Sequence, residues 1–291
     1  MSTKKMTAGV PVRTETPLPR LALFDSHCHL EDTAYDRDRS DTLTRARDAG
    51  VRALLVAGVD LPRSRKALQL AEQRPGIFVA VGIHPHDAST CSAGTLAALR
   101  SLADNDRVRA WGEIGLDFNR MYSPRDRQEQ AFIAQLSAAA ECGLPLVFHE
   151  RDSGGRFLEL LLRHSPRPLR GVVHCFSGTA PELEAYLEMG LHIGVTGILT
   201  HKQRGRDLRG MIPHIPPERL LVETDAPYLT PTPERNRHRR NEPAFVRSVL
   251  LKLAEVCDQP PERLADQTLR NACRLFGVRP DELMPPDGEG S

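Results

Sequence analysis

Leu21-Ala22-Leu23-Phe24-Asp25-Ser26-His27-Cys28-His29-Leu30 opens on a short apolar run and ends in side chains that bind metals. Residues 21–24 have the length and composition of a buried strand. Side chains alternate along an extended backbone, so His27 and His29 project to one face and Cys28 to the other. Two imidazoles at that spacing suit one metal ion. The same arrangement, an apolar run followed by a polar segment, recurs downstream. Strands are predicted at 53–56, 78–81, 109–113, 146–148, 172–173, 192–195 and 220–222, which with 21–24 makes eight. Between them lie helical stretches at 38–49, 62–73, 128–142, 156–164, 181–189 and 207–215, several with Gly or Pro just past the end. Helices at 243–257 and 261–276 close the chain.

Strand followed by helix, eight times over, predicts an α/β fold: a single-domain (β/α)8 TIM barrel with its active site at the C-terminal ends of the strands. An open doubly wound sheet is the competitor, but no G-x-G-x-x-G follows the first strand and eight units is the closing number. The barrel is expected over 21–277. Residues 1–20 read as a disordered extension and 278–291 as a flexible tail, because both mix Pro, charge and small residues without periodicity.

The strand ends hold the chemistry. Strand three runs into His84-Pro85-His86, strand four ends in Glu113, strand five in His149, strand six in His174, and strand eight in Glu223-Thr224-Asp225. Six of the eleven histidines therefore fall on one predicted rim, which scattered structural histidines do not explain. His27, His29, His149 and His174 with Glu113 and Asp225 offer four nitrogens and two carboxylates. Zn and Mn accept such mixed shells, whereas Mg and Ca prefer oxygen, so one or two divalent ions are expected, Mn2+ or Zn2+ by donor type, with Mg2+ left open. A carboxylate bridging two ions would let one activate water while the other steadies the leaving oxygen. Asp225 is a candidate general base as well as a ligand. No G-x-S-x-G turn is present, which disfavours a serine nucleophile.

Composition narrows the class. No run of 18 apolar residues and no signal peptide is found, so no membrane partner is expected. The six cysteines form no C-x-x-C pair, and a cytoplasmic protein with reduced thiols is the expectation. With 39 basic against 38 acidic side chains the balance suggests no polyanion, so any such hint must be local. Arg235, Arg237, Arg239 and Arg240 after strand eight, and Lys202, Arg204, Arg206 and Arg209 after strand seven, supply one, because barrels commonly bind phosphate at those loops. Lys202, Arg235 and Arg237 are the candidate phosphate contacts, with His84 as a further substrate contact. Arg206 and Arg209 read as helix decoration. His86 is expected to cap its loop and Asp117 to brace the loop after strand four. Glu223 is read either as orienting an imidazole or as a buried paired acid, and Cys28 and Cys175 as packing residues. Only Phe118, Tyr122 and Tyr228 offer aromatic faces near the rim.

The segments FDSHCHL (24–30), VGIHPHD (81–87), WGEIGLDF (111–118), LPLVFHERDS (144–153), VVHCFSG (172–178), LLVETDAPYL (220–229) and NEPAFV (241–246) resemble, in order, those of the TatD family of metal-dependent deoxyribonucleases. The resemblance runs from Phe24 to about Phe276, and Ser153 departs from it where the family usually has alanine. It implies that His27, His29, Glu113 and Asp225 hold one ion, that Glu113, His149 and His174 hold the second, and that Glu113 bridges them. It also implies DNA as substrate, trimmed from 3′ ends by metal-activated water. Two other functions fit the residues: an esterase or amidase such as an aminoacyl-tRNA deacylase, and a non-catalytic nucleic-acid-binding barrel. A monomer is expected.

Overall fold

The computed structural model describes residues 21–165 and 168–285; the predicted extension at 1–20 and the last six residues of the predicted tail lie outside them. Eight parallel strands form one sheet in the order β1 to β8, each neighbour in sequence being its neighbour in space. The strands are β1 (Leu23–Cys28), β2 (Val51–Ala57), β3 (Ile77–Val81), β4 (Val108–Asp117), β5 (Leu146–Arg151), β6 (Gly171–Val173), β7 (His192–Val195) and β8 (Leu220–Val222). The ring closes at the C-terminal end, where Cys28 bridges to Ala226, the His29 amide donates to the Ala226 carbonyl (2.7 Å) and the Asp225 amide to the His27 carbonyl (2.9 Å).

A helix follows every strand: α1 (Arg39–Asp48), α2 (Leu61–Glu72), α3 (Ala93–Ala103), α4 (Arg125–Cys142), α5 (Arg156–His164), α6 (Ala180–Glu188), α7 (Arg206–Met211) and α8 (Val246–Cys257), with α9 (Pro261–Phe276) added at the end. Side-chain caps start several of them. Asp60 accepts from the Arg63 amide, and Thr179 with Glu182 forms a reciprocal capping box. α4 stops at Gly143, whose φ of +65° suits the left-handed closing turn. α7 is shorter than its periodicity predicts. Pro213, lacking an amide hydrogen, turns residues 212–214 into a 3-10 turn.

Strand side chains divide the core in two. Alternate residues pack outward under the helices, while Phe24, Ala53, Leu55, Phe78, Ala80, Ala110, Val147, Val172 and Leu221 fill the barrel interior. α9 plugs the interior's N-terminal end with Ala272, Leu275 and Phe276, the Phe276 ring 5.9 Å from that of Phe24.

Two expectations need correction. The tail is packed as far as residue 285: Val278 and Met284 are buried, and the Met284 amide donates to the Arg52 carbonyl (2.8 Å). Arg109 pairs with Glu282 (2.5 Å), so charges that look solvated in the sequence strap this segment across the barrel bottom. Strands β1, β4 and β5 also outrun their apolar cores, reaching Cys28, Asp117 and Arg151. Polar side chains there point into the mouth, where alternation in hydrophobicity no longer marks a strand. No helix among the described residues is long and apolar enough to cross a membrane.

Candidate metal centre

β1, β4, β5, β6 and the turn after β8 bring His27, His29, Glu113, His149, His174 and Asp225 to one mouth. Glu113 lies at the centre with its two oxygens facing opposite ways. Its Oε2 is 3.2 Å from His27 Nε2 and 4.0 Å from His29 Nε2; its Oε1 is 2.7 Å from His149 Nδ1 and 3.7 Å from His174 Nε2. Asp225 Oδ1 closes the first group at 3.3 Å from His29 Nε2 and 3.9 Å from His27 Nε2, while His27 and His29 Nε2 stand 3.4 Å apart. Donors about 2.0–2.2 Å from one ion sit roughly 3.0–3.5 Å from each other, and the group of His27, His29 and Asp225 has that spread before it contracts on an ion; on the other side of Glu113, donor atoms within 4.8 Å of one another come from His84, Glu113 and His149, while His174 shares such a group with His27 and Glu113. The donor set could hold a divalent ion.

The imidazoles are oriented from behind. His29 Nδ1 donates to the Ala57 carbonyl (3.3 Å) and His174 Nδ1 lies 2.9 Å from Glu223 Oε1 as an ion-pair contact, which turns each Nε2 toward the cluster. Glu223 therefore orients an imidazole, and it is itself held by the Cys175 amide (2.6 Å) and the Ser26 hydroxyl (3.1 Å). Gly194 on β7 makes room for it, since a Cβ there would fall 2.5 Å from both carboxylate oxygens. Asp117 braces its loop as expected, accepting from the Asn119 (3.0 Å) and Arg120 (2.8 Å) amides. Its other oxygen also takes His86 Nε2 (2.8 Å) and His149 Nε2 (3.2 Å).

Burial sets the proton affinities. Burial opposes the charged form of Glu113, but the surrounding His27, His84, His174 and His149 outweigh it and hold the carboxylate well below its ordinary range. His29 is disfavoured as a cation by burial, yet Asp225, Glu31 and Glu113 raise it to about 10. His149 is likewise raised to about 9, because burial is outweighed by Asp117 and Glu113. Carboxylates face both of its nitrogens, so the ion-free ring carries both protons. His84 goes the other way, burial lowering it to about 4. Its Nδ1 accepts the His86 amide (3.1 Å), so the neutral ring keeps its proton on Nε2, 3.5 Å from Glu113 Oε1. His84, not His86, is the loop cap, and its Nε2–H faces the cluster as a donor.

A cavity of about 630 Å³ opens over this cluster. Its basic walls differ from the sequence expectation: Arg63, Arg120, Arg151 and Arg204 line it, whereas Lys202, Arg235 and Arg237 do not. Arg209 and Arg240 are turned to structural use, on the carbonyls of residues 199, 201 and 202 and on Asp38. Clustering in the sequence pointed to the last two loops, which supply only Arg204; position at or just beyond the ends of β2, β4 and β5 was the available signal for Arg63, Arg120 and Arg151. Cys175 also departs from expectation. With φ +48°, in the left-handed region, it leaves the strand alternation, and its sulfur lies within 4.8 Å of His174 and Asp225 donor atoms. Cys28 is buried in the outer core, as expected.

A family profile described as TatD related DNase matches residues 24–277. The chain is 46% identical over 257 residues to the 3'-5' ssDNA/RNA exonuclease TatD of Pantoea sp. (strain At-9b), covering 87% of this chain and 99% of that one. It is 44% identical over 259 residues to the protein of the same name from Rahnella sp. (strain Y9602), covering 88% and 98%. Among solved structures, YJJV, a TatD homolog from Escherichia coli K12, superposes with a TM-score of 0.81 at 31% identity, covering 88% of this chain and 98% of that one.

Proposed function

The chain belongs to the TatD-related DNase family, a membership that makes it a hydrolase of phosphodiester bonds, and on that footing we propose that it removes nucleotides from the 3′ end of single-stranded DNA or RNA with divalent-metal assistance. Neither the deacylase nor the non-catalytic alternative is favoured by this membership. The observation that carries the proposal is Glu113 lying between two donor groups, with one oxygen on each.

His27, His29, Asp225 and Glu113 would hold one ion and Glu113, His149 and His174 the other. Such ions supply electrostatic stabilisation at phosphoryl oxygens and make water acidic enough to attack near neutral pH. The chain's own part follows from its geometry. Asp225 Oδ1 faces the imidazoles, while Oδ2 has no hydrogen-bond partner among the described residues, so Oδ2 is the atom to take the proton of the attacking water. His84 Nε2–H donates to a non-bridging phosphate oxygen. Arg120 and Arg204 have no carboxylate within 4.0 Å among the described residues, whereas Arg63 is shared with Asp60 (3.4 Å) and Arg151 with Asp152 (3.6 Å). The two uncompensated guanidiniums are therefore the phosphate contacts of choice. An imidazole-rich shell favours Mn2+ or Zn2+ over Mg2+, and metal analysis of protein purified without chelator checks that preference.

The deciding assay uses single-stranded oligonucleotides labelled at either end, with Mg2+, Mn2+ or Zn2+. A 5′ label should pass into a ladder of shortened strands and a 3′ label into mononucleotide. Absence of shortening with every ion counts against the proposal, and the reverse pattern against its polarity.

A further inference from the structure

Four large apolar side chains are exposed among the described residues, and three of them, Met121, Tyr122 and Tyr228, belong to loops at the barrel mouth. Tyr122 is 68% exposed and Tyr228 55%, and both line the cavity over the metal centre. Solvent-exposed aromatic rings at the rim of a polar, cation-lined cavity offer π surfaces on which a flat apolar group can stack.

Their placement says what that is. The Tyr228 ring meets the His29 ring edge-on at 5.8 Å and 67°, while Tyr122 meets His86 at 4.7 Å and 90°. His29 belongs to the Asp225 side of Glu113; His86 belongs to the opposite side, fixed with His149 on Asp117. The two tyrosines thus flank the centre, each in T-shaped contact with an imidazole that is itself held. Both rings nevertheless stay more than half exposed. A ring with two torsions loses little entropy when a partner stacks on it.

We infer that Tyr122 and Tyr228 are stacking platforms for unpaired nucleobases on either side of the phosphate being cut, and that they determine selection of single-stranded ends over duplex. The inference rests on reading the cavity as a nuclease site and goes beyond it by naming the residues that sense strandedness. Every base has a π face, so such platforms are tolerant of sequence; in a duplex those faces are already stacked and paired. Arg120 and Arg204 meet the backbone in the same cavity.

The test compares the full-length protein with its Tyr122→Ala, Tyr228→Ala, Tyr122→Phe and Tyr228→Phe variants in Mn2+. Two 5′-labelled strands of equal length are used, one of thymidines throughout and one with abasic residues at its 3′ end. Each alanine variant should lower the ratio of kcat/KM for the normal strand to that for the abasic strand by about 5- to 150-fold, mostly through KM, with phenylalanine restoring it to within about twofold. An equal loss on both strands, or failure of phenylalanine to rescue, overturns the platforms. If the unmodified protein cuts neither strand with any ion, the nuclease reading fails, and binding of a strand ending in 2-aminopurine still decides the inference. Quenching that the alanine variants lose supports it; quenching that they keep, or none in any variant, overturns it.

Discussion

The two ends of one barrel interior are built from opposite materials. At the N-terminal end Phe24, Phe78, Leu275 and Phe276 pack together without a polar atom to satisfy. At the C-terminal end His27, Glu113, His174, Glu223 and Asp25 are as deeply buried. Apolar burial contributes stability at roughly 25 cal/mol per Å², whereas each buried charge costs several kcal/mol unless partners offset it. Asp25 marks the border: it accepts from the Thr224 amide (2.8 Å) and hydroxyl (2.6 Å), yet burial still raises it to about 8. The difference teaches that the plug supplies stability so that the mouth can carry a cluster that costs it.

If that division holds, the ends separate turnover from stability. His149→Ala should cut metal-stimulated hydrolysis on the order of 10³-fold or more, since a second ion provides several kcal/mol of charge stabilisation, with thermal unfolding of the chelated protein little changed. Phe276→Ala should do the reverse, costing about 3–5 kcal/mol in denaturant unfolding while the folded fraction keeps its kcat/KM. A His149→Ala protein that still turns over at the original rate removes the site assignment; a Phe276→Ala protein of unchanged stability removes the plug.

The barrel was readable because its eight strands start in apolar, β-branched runs, and the six donors because each follows such a run. What escaped notice obeys other rules. β1, β4 and β5 continue through polar residues whose burial depends on neighbours far away in sequence, as Ser26 depends on Val222 (3.1 Å). Met284 sits in a stretch of Pro and acid, and Arg52, distant in sequence, gives it a place by accepting from its amide and donating Nε–H to its carbonyl (2.6 Å). Of the cations of the mouth, Arg204 belongs to a visible cluster, whereas Arg63, Arg120 and Arg151 lie outside both, and Arg209 and Arg240 of the clusters serve as struts. Cys175 was misread because one positive φ cancels an alternation argument. Sequence periodicity reports local direction, and the mouth is made of contacts between distant loops.

A finer probe of the comparison is Asp117, which touches no group of either donor set except His149. Asp117→Asn keeps the shape and the loop's amide bonds while removing the charge behind that imidazole. Partners of this kind are worth about 10- to 100-fold in metal affinity or activity, a smaller effect than loss of the imidazole itself. Titrating Mn2+ into the variant by calorimetry measures it, and an affinity within twofold of the original would show that Asp117 only braces the loop.

The smallest effect is in protons, and it bears on how the mouth tolerates its own charge. In the ion-free protein His29 and His149 are raised from 6.5 to about 10 and about 9, so near pH 8 both rings hold protons where cations would be accepted. Raised folded-state values stabilise the ion-free protein fully below about pH 6.5, and that contribution is lost as pH climbs through 9 and 10. Ion binding must displace the same protons, so metal affinity moves the other way and strengthens over this window. His27 and His84 are lowered, burial being the main cause, and titrate below it. The gap between the thermal midpoints of ion-loaded and chelated protein should therefore widen from pH 6.5 to about 9–10 and then level off. Calorimetry at pH 8 in buffers of different ionisation heat should count about one to two protons released as the site fills. A gap independent of pH, with no proton released, would mean that these imidazoles are neutral before the ion arrives and that the carboxylates at the mouth are balanced by something other than protons.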